Sequence, residues 1–371
     1  VVLACLMLDP NSHEELISMA GITPMVRLLS ADTVGAKKSA AMGLARLALS
    51  RETQGLIADE GALRLLIEWL TSFTGILPAS EENSEEVEHE SATAEDGSVG
   101  QEKAGTLVLV PAEQAEVAAV ALADLARDNE TLQLAIAAGG AIKPLIVMIG
   151  DFSEGDAQNA ACSALATLAQ GCHANQEGIA QLNGIPPLVE LIKSNRSRTH
   201  EDASRALSLL AMHDDYKAQI THTGGIEPLV ALLGVNIKAV TQQYAAVALE
   251  GLCRESADNQ MTLANQKASN DLIAMLGSES IETAESAVAL LLCLAEHPAS
   301  QKGVIRQLVA VLVDPNVSAQ LKATEALAVL SSRSSSHRTV IVKAGAVAPL
   351  VGLLGNGQRA ELHTPPERAA A

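Results

Sequence analysis

Residue types that could carry out chemistry are few in this sequence, and they do not lie at catalytic or metal-ligand spacing. Five cysteines occur without any Cys-x-x-Cys pair, at Cys5, Cys162, Cys172, Cys253 and Cys293. Cys172 is adjacent to His173, whereas zinc ligands are normally separated by two to four residues. Glycine-rich phosphate loops, Gly-x-Ser-x-Gly and His-Glu-x-x-His are missing from the sequence. The sequence therefore predicts a non-enzymatic protein with no catalytic residue, cofactor or metal site.

Composition and charge narrow the function classes further. The chain of 371 residues has 44 acidic and 25 basic side chains, giving a net charge of −19 that repels nucleic-acid phosphates. Hydrophobic residues make up 48% of the chain, but only one Trp, two Tyr and two Phe are present. The apolar content is therefore aliphatic, which favours packed helices and leaves few aromatic rings on which bases could stack. Nucleic-acid binding is not expected.

The longest apolar run and the cysteines bear on location. The run Ala287–Ala295 is too short for a bilayer-spanning helix. The cysteines lie mostly in Ala/Leu-rich segments, which is typical of buried, reduced thiols in a cytoplasmic or nuclear protein. We expect no transmembrane segment and one of these two locations, with peripheral membrane association left open.

A short pattern, Gly-Ile-x-Pro-Leu-Val-x-Leu-Leu, recurs along almost the whole chain. At the proline-equivalent residue the copies are spaced by 36 to 43 residues, except for one interval of 79. Copies that keep the proline begin at Gly21, Ala141, Gly184, Gly225 and Ala346. Weaker copies without it occupy Leu65–Leu70, Asp271–Leu276 and Gln307–Leu312.

The physical chemistry of this motif predicts a corner between two helices. The glycine is expected to take the left-handed conformation that ends one helix, and the proline suits the first turn of the next. Apolar residues after the proline, such as Leu188 and Ile192, fall on one helical face that must be buried.

Each unit of about forty residues is predicted to hold three helices. An Ala/Leu-rich segment such as Cys162–Ala169 follows the motif helix, and a shorter helical segment such as Asn175–Leu182 precedes the next motif. Burying four aliphatic residues contributes roughly 6–12 kcal/mol, whereas ordering forty residues costs several times more. One unit therefore cannot fold alone, and stacking of units into a solenoid is expected.

The motif, the period and the three-helix unit resemble the armadillo-repeat family, over nearly all of the chain except residues 71–112 and the last dozen. The array is similar to those of the fungal vacuolar armadillo protein, beta-catenin and importin alpha. The resemblance implies an all-α, right-handed superhelical solenoid of about seven to eight repeats. It also implies a scaffold that binds extended peptide segments along a concave surface lined by the third helices.

The expected organisation has four parts: repeats in 1–70, an acidic insertion in 71–112, repeats in 113–354, and a tail or the start of a truncated helix in 355–371. Residues 81–102 contain nine acids and no Lys or Arg, which predicts disorder. This insertion is either a solvated loop or a regulatory tether that favours basic partners. We also expect both ends to be cut within a repeat, with residues 1–8 as the tail of a third helix.

The resemblance to importin alpha identifies the groove positions but not its ligand. In that protein, Asn residues on the third helices hold the peptide backbone, and Trp residues four positions earlier line slots for Lys. Every equivalent of these Asn and Trp residues is a different residue in this chain. The polar candidates for a peptide groove are therefore Arg46, Asp124, Thr167, Arg205, Glu250 and Glu325.

The predicted function is a protein–protein interaction scaffold whose partners are other proteins, in the form of extended peptide segments. Two alternatives remain open. The chain could be a divergent nuclear-transport adaptor, or it could be the substrate-recruiting region of a larger ubiquitin ligase whose catalytic module lies elsewhere.

Overall fold

The computed structural model describes residues 17, 19–48, 50–74, 112–150, 155–194, 197–265 and 268–362, and every regular element within these ranges is an α-helix. The chain divides into two compact units, residues 1–184 and residues 185–371. We call the helix that begins at the repeated motif the second helix of its repeat and the helix that follows it the third helix. The helix before the next motif is the first helix of the next repeat.

The first unit contains nine described helices in three successive sets. Its second helices are α1, α4 and α7, its third helices α2, α5 and α8, and its first helices α3, α6 and α9. In chain order they are α1 Ile22–Leu28, α2 Val34–Leu47, α3 Arg51–Asp59, α4 Ala62–Thr74, α5 Ala112–Ala126, α6 Glu130–Ala138, α7 Ile142–Ile149, α8 Asp156–Ala169 and α9 His173–Gln181.

The second unit contains twelve described helices. Its second helices are α10, α13, α16 and α21, its third helices α11, α14, α17 and α19, and its first helices α12, α15 and α20. In chain order they are α10 Ile185–Lys193, α11 Ser197–Leu210, α12 Asp214–His222, α13 Ile226–Ala231, α14 Ala239–Cys253, α15 Ala257–Asn265, α16 Ala268–Met275, α17 Ile281–Glu296, α18 Pro298–Val311, α19 Val317–Arg333, α20 Ser335–Lys343 and α21 Val347–Leu362.

The third helices pack side by side within each unit and form most of its core. Their contact faces are rich in alanine, so neighbouring helices can approach closely; Ala118 on α5 and Ala164 on α8 are fully buried. The second helices cover this layer with larger aliphatic residues, and Leu145 and Leu188 are likewise fully buried. The packing follows the apolar stripes predicted from the sequence.

The motif makes the predicted corner, but its glycine has a different role. Left-handed backbone occurs one residue earlier, as at Asn183 (φ 61°) and Gly224 (φ 78°). The motif residue Gly225 itself has φ −74°. Its N–H donates to the carbonyl oxygen of Ile220 at 2.9 Å, which closes the end of α12. The prediction that the motif glycine supplies the left-handed conformation is therefore wrong.

Close packing explains why glycine is nevertheless present at this place. A Cβ added to Gly184 would lie 2.8 Å from the carbonyl oxygen of Ile179, and one added to Gly225 would lie 2.9 Å from that of Ile220. Both separations are too short for a carbon atom, so the chain has no room for a side chain there. At the corner before α7 the corresponding N–H to carbonyl distance is longer, 3.3 Å, and Ala141 is accommodated.

The three-helix unit is interrupted once in the second unit. The first and second helices of one repeat are fused into α18, a single helix of 14 residues. Gly303 stands where Gly224 and Gly345 take the left-handed conformation at other corners, but it is not left-handed here, so the helix continues into the second-helix segment Gln307–Leu312. The prediction of three separate helices therefore fails in this repeat.

The boundary before the insertion also lies later than expected. Helix α4 continues to Thr74, beyond the predicted start of the insertion at residue 71. Thr71 is buried, and the hydroxyl of Thr74 donates to the carbonyl oxygen of Leu70 at 3.1 Å, which completes the last turn. Residues 75–111, the first sixteen residues and the tail after Leu362 lie outside the described residues.

Within the described ranges, no single helix is long and apolar enough to cross a membrane. Two bent pairs reach that length together: α6 with α7, bent by 82°, and α20 with the first part of α21, bent by 84°.

Candidate functional site

On each third helix a row of side chains at helical spacing lies beside the buried face, and most members of this row are partly or fully exposed. The row follows helical spacing because residues four apart lie one above the other. In the first unit we define the ridge by Lys38, Met42, Arg46, Glu116, Val120, Asp124, Asn159, Ser163 and Thr167. In the second unit we define it by Glu201, Arg205, Leu209, Gln243, Val247, Glu250, Glu285, Ala289, Leu321, Glu325 and Val329.

The three candidates in the first unit differ in how much surface they offer. Arg46 is half-buried near the end of α2. The carboxylate of Asp124 accepts a hydrogen bond from Arg127 at 2.7 Å. Thr167 is only 6% exposed, so little of its side chain is accessible to a ligand. Of these three residues, Arg46 and Asp124 are the accessible ones.

The three candidates in the second unit each form an ion pair with a residue three or four positions away in the sequence. Arg205 contacts Asp202 at 3.3 Å. Glu250 accepts a hydrogen bond from Arg254 at 2.6 Å. Glu325 lies 3.2 Å from Lys322. These short-range pairs fix the side chains on the ridge, and each leaves carboxylate or guanidinium atoms at the surface.

Ion pairs also connect successive third helices at the start of the ridge. Lys38 on α2 donates to Glu113 on α5 at 2.5 Å, and this hydrogen bond holds the pKa of Glu113 below its ordinary value. In the second unit, the links are Lys238 to Glu201 and Lys322 to Glu285, each at 3.4 Å. Such exposed pairs add little stability, but they show which ridge positions face the following helix.

One carboxyl group on the first-unit ridge has the opposite pKa shift. Burial raises the pKa of Glu116, and the nearby charge of Asp156 raises it further. The two residues belong to neighbouring third helices, α5 and α8. Acidic side chains are therefore clustered at the start of this ridge, and the positive charge of Lys38 partly offsets their effect on the pKa of Glu116.

A pocket opens on the ridge of the second unit between α14 and α17. Its volume is about 360 Å³. Three of its lining residues are carboxylates, and Val247 and Ala289 supply apolar surface. The full lining is Gln243, Val247, Glu250, Glu282, Glu285, Ser286 and Ala289.

Of these pocket residues, the sequence analysis placed only Glu250 among its polar candidates for a peptide groove. The others lie on the same helical faces: Gln243 and Val247 are seven and three residues before Glu250, and Glu282 and Glu285 are seven and four before Ala289. Extending the ridge by helical spacing in both directions would have identified them.

Cysteine, histidine and acidic residues are the side chains that could bind a metal ion in this protein. Cys162, Cys172, Cys253 and Cys293 are free and buried. No group of three or more His, Cys, Asp or Glu in the described ranges could hold a metal ion.

Comparison with known proteins identifies this arrangement of helices. A sequence model described as "Armadillo/beta-catenin-like repeat" matches residues 175–212, which cover most of α9 and all of α10 and α11. An engineered protein of known structure superimposes with a TM-score of 0.72 and 25% identity, covering 95% of this chain and 78% of its own. The chain therefore contains an armadillo repeat at residues 175–212. No curated protein matches its sequence.

Designed armadillo proteins share the same fold. "Designed armadillo repeat protein YIII(Dq)4CqI" superimposes with a TM-score of 0.57 and 21% identity over 74% of this chain and 99% of its own. Another structure is described as computationally designed armadillo repeat proteins for modular peptide recognition. It gives a TM-score of 0.56 and 19% identity over 73% of this chain and 99% of its own. The predicted all-α armadillo solenoid is therefore confirmed.

Proposed function

We propose that this armadillo protein is a non-enzymatic scaffold that binds extended peptide segments of partner proteins along its third-helix ridges. The observation that carries the proposal is the row of partly or fully exposed side chains beside the buried face of every described third helix. An extended peptide rises about 3.3 Å per residue, so it can contact several successive helices. A designed relative described as built for modular peptide recognition supports the same use of the fold.

The pocket between α14 and α17 suggests what one peptide side chain would be. Its three carboxylates favour a cationic group, while Val247 and Ala289 suit the aliphatic stem of a lysine or arginine. Glu250 and Glu285 already have partners in Arg254 and Lys322, but both of these bases are partly exposed. We therefore propose a peptide with at least one basic residue.

Binding should be tested by selecting peptides from a random library on the complete chain and measuring their affinity by fluorescence anisotropy. Two variants block the ridge: Val120→Arg in the first unit and Ala289→Arg in the second. Both positions are exposed, so the new side chain projects into the ridge without disturbing the core. We expect at least one of the two variants to weaken selected peptides by about tenfold or more.

The matched control is Ala231→Arg, which changes an exposed alanine at the end of the second helix α13. It adds the same side chain away from the ridge and should leave the affinity unchanged. Selection of no saturable binder would contradict the proposal. So would peptides whose affinity is the same in both ridge variants and the parent chain.

We further propose that the protein works in the cytoplasm or nucleus. The support is the set of four buried free thiols, which suits a reducing compartment. Fractionation of cells expressing a tagged full-length protein would test this location.

A further inference from the structure

Two of the three carboxylates that line the pocket between α14 and α17 are paired with bases of the same chain. Glu250 accepts a hydrogen bond from Arg254 at 2.6 Å, and Glu285 accepts one from Lys322 at 3.4 Å. Neither base is one of the residues that line the pocket. Both bases therefore hold their carboxylates from outside the pocket and leave its volume open to another cation.

The third carboxylate keeps the pocket negative. Glu282 accepts a hydrogen bond from the neutral hydroxyl of Ser280 at 3.0 Å. A hydrogen bond from its own backbone N–H, together with the one from Ser280, holds the pKa of Glu282 below its ordinary value, so this carboxyl is ionised at neutral pH. Lys322 is also shared with Glu325, at 3.2 Å. The pocket carboxylates are therefore not fully neutralised, and their field attracts a further basic group.

The two bases differ in how freely they can leave their carboxylates. The side chain of Lys322 is only 15% exposed and joins α19 to α17, so its displacement would disturb the packing of two third helices. The side chain of Arg254 is 53% exposed and pairs within its own helical turn. Its backbone N–H donates to the carbonyl oxygen of Glu250 at 2.9 Å, so the main chain is held while the side chain can turn into solvent. Arg254 is therefore the base that an incoming cation can replace.

We propose that Arg254 is an internal counter-ion that controls access to Glu250: it pairs with this carboxylate in the free protein, and a basic side chain of the bound peptide replaces it. The inference rests on the proposed function, because the incoming base belongs to the peptide. The exchange forms one charge-assisted hydrogen bond and breaks another, so Arg254 lowers the affinity for basic ligands. A neutral side chain cannot compensate the charge of Glu250 after Arg254 has left, so the pocket selects cations.

A small cation tests the pocket separately from peptide binding. The probe is n-butylguanidinium, which has the charge and the aliphatic stem of an arginine side chain. Its control is n-butylurea, a neutral molecule of nearly the same shape. Methyl NMR signals of Val247 and Ala289, which line the pocket, report binding to the complete chain. We expect saturable shifts with n-butylguanidinium and none with n-butylurea at the same concentrations.

Replacement of the counter-ion should strengthen binding of this probe. Arg254→Gln should lower its dissociation constant by about three- to fivefold, because Glu250 no longer has a competing base. The gain should shrink as salt is raised, since salt screens exposed charges. Glu250→Gln should weaken the probe, and Arg254→Gln should give no gain in that background, because the two residues act through one ion pair.

The matched control is Arg333→Gln. Arg333 ends α19 as Arg254 follows the end of α14, and it pairs with Glu296 outside the pocket lining. The variant removes the same charge from the same unit and should change the affinity by less than about twofold. Circular dichroism of all variants should match that of the parent.

Four results would overturn the proposal: no saturable shift in the Arg254→Gln chain, no gain from Arg254→Gln, an equal gain from Arg333→Gln, or a full gain from Arg254→Gln in the Glu250→Gln background. Failure of the proposed function gives a different result, because the pocket would bind n-butylguanidinium as described while the library yields no peptide. If library peptides with a basic residue bind the ridge and Arg254→Gln does not tighten them, the scaffold function stands and this role of Arg254 is wrong.

Discussion

The side-chain amide of Asn175 donates a hydrogen bond to the main-chain carbonyl oxygen of Gln133, 3.1 Å away and 42 residues earlier in the sequence. The same amide donates to the carbonyl oxygen of Leu168 at 2.9 Å. In the second unit, Asn259 donates to Leu252 at 2.7 Å in the same way. The last carbonyls of a helix have no intrahelical donor, so these amides on first helices hold the end of each preceding third helix.

Replacement of this amide should destabilise the first unit. Asn175 is only 2% exposed, and Asn175→Ala would remove the side-chain donor to the carbonyl oxygen of Leu168 at the end of α8 and an additional donor to that of Gln133 inside α6. We expect a loss of roughly 1–3 kcal/mol in the free energy of unfolding, measured by urea denaturation followed by circular dichroism. Gln181→Ala, on the exposed side of the same helix α9, should change stability by less than about 0.5 kcal/mol. Equal effects of the two changes would contradict this role of Asn175.

A corner glycine and a glycine inside a helix give a second prediction, in which replacement by alanine changes the stability in opposite directions. Gly184→Ala should destabilise the protein by about 1–3 kcal/mol, because the new Cβ would collide with the carbonyl oxygen of Ile179. Gly35→Ala, in α2, meets nothing within 4 Å and should stabilise it by about 0.4–1 kcal/mol through reduced freedom of the unfolded chain. Thermal unfolding of both variants checks the pair. A stabilising Gly184→Ala would show that the corner is looser than described.

The sequence was sufficient to predict the helices because two periodicities coincide in it: the helical spacing of aliphatic residues and the recurrence of the proline corner. It could not assign the left-handed residue, because Asn183 and Gly224 stand next to the motif glycines and either neighbour could have supplied the turn. Fusion of two helices into α18 was also missed. The predicted corner there depended on apolar spacing alone, which a continuous helix satisfies equally well.

The candidate ridge was only partly predictable for a different reason. Helical spacing from one residue identifies a face, but burial depends on how closely the next helix packs. Thr167 was selected by position and is almost covered, whereas Glu285, one turn before Ala289 on α17, was omitted although it lines the pocket. Side-chain access at a helix–helix interface is set by inter-repeat distances that one sequence does not encode locally.

Burial of the thiols leads to a prediction about their reactivity. Burial raises the pKa of Cys293 to about 11, and it also raises that of Cys253, with a smaller contribution from the nearby Cys293. The reactive thiolate is therefore scarce at about pH 8. We expect iodoacetamide to leave both residues unlabelled in the folded protein at that pH and to label them fully in urea, as read by peptide mass mapping. Rapid labelling of either thiol in the folded state would contradict the burial described for α14 and α17.

The missing asparagine positions predict weak binding of a nuclear-localisation peptide. At the places where importin alpha has its Asn residues, Thr167 and Cys293 are buried, and a Cβ added to Gly251 would lie 2.6 Å from the carbonyl oxygen of Ala211. Amides therefore cannot line this surface as a regular row. We expect a fluorescent basic localisation peptide to bind more weakly than about 1 μM at physiological salt. Tighter, sequence-dependent binding would instead favour the nuclear-transport alternative.

The acidic segment between α4 and α5 should be dispensable for folding. Its residues 81–102 carry nine acids and no base, a composition that cannot supply a hydrophobic core. Replacing residues 75–111 by a short Gly/Ser linker keeps α4 complete to Thr74 and α5 complete from Ala112. We expect the circular dichroism signal per helical residue and the unfolding midpoint to remain almost unchanged.

Binding measurements on the same deletion separate the two interpretations of the segment. A solvated loop predicts unchanged affinity for a basic peptide at every salt concentration. A regulatory tether predicts altered affinity, and the difference should shrink as salt rises, because the field of the acids acts within a Debye length of about 8 Å at physiological ionic strength. A matched variant that keeps the length but replaces the nine acids by Gln and Asn distinguishes charge from length. Loss of the fold on deletion would contradict both interpretations, since it would mean that residues 75–111 contribute a structural repeat of their own.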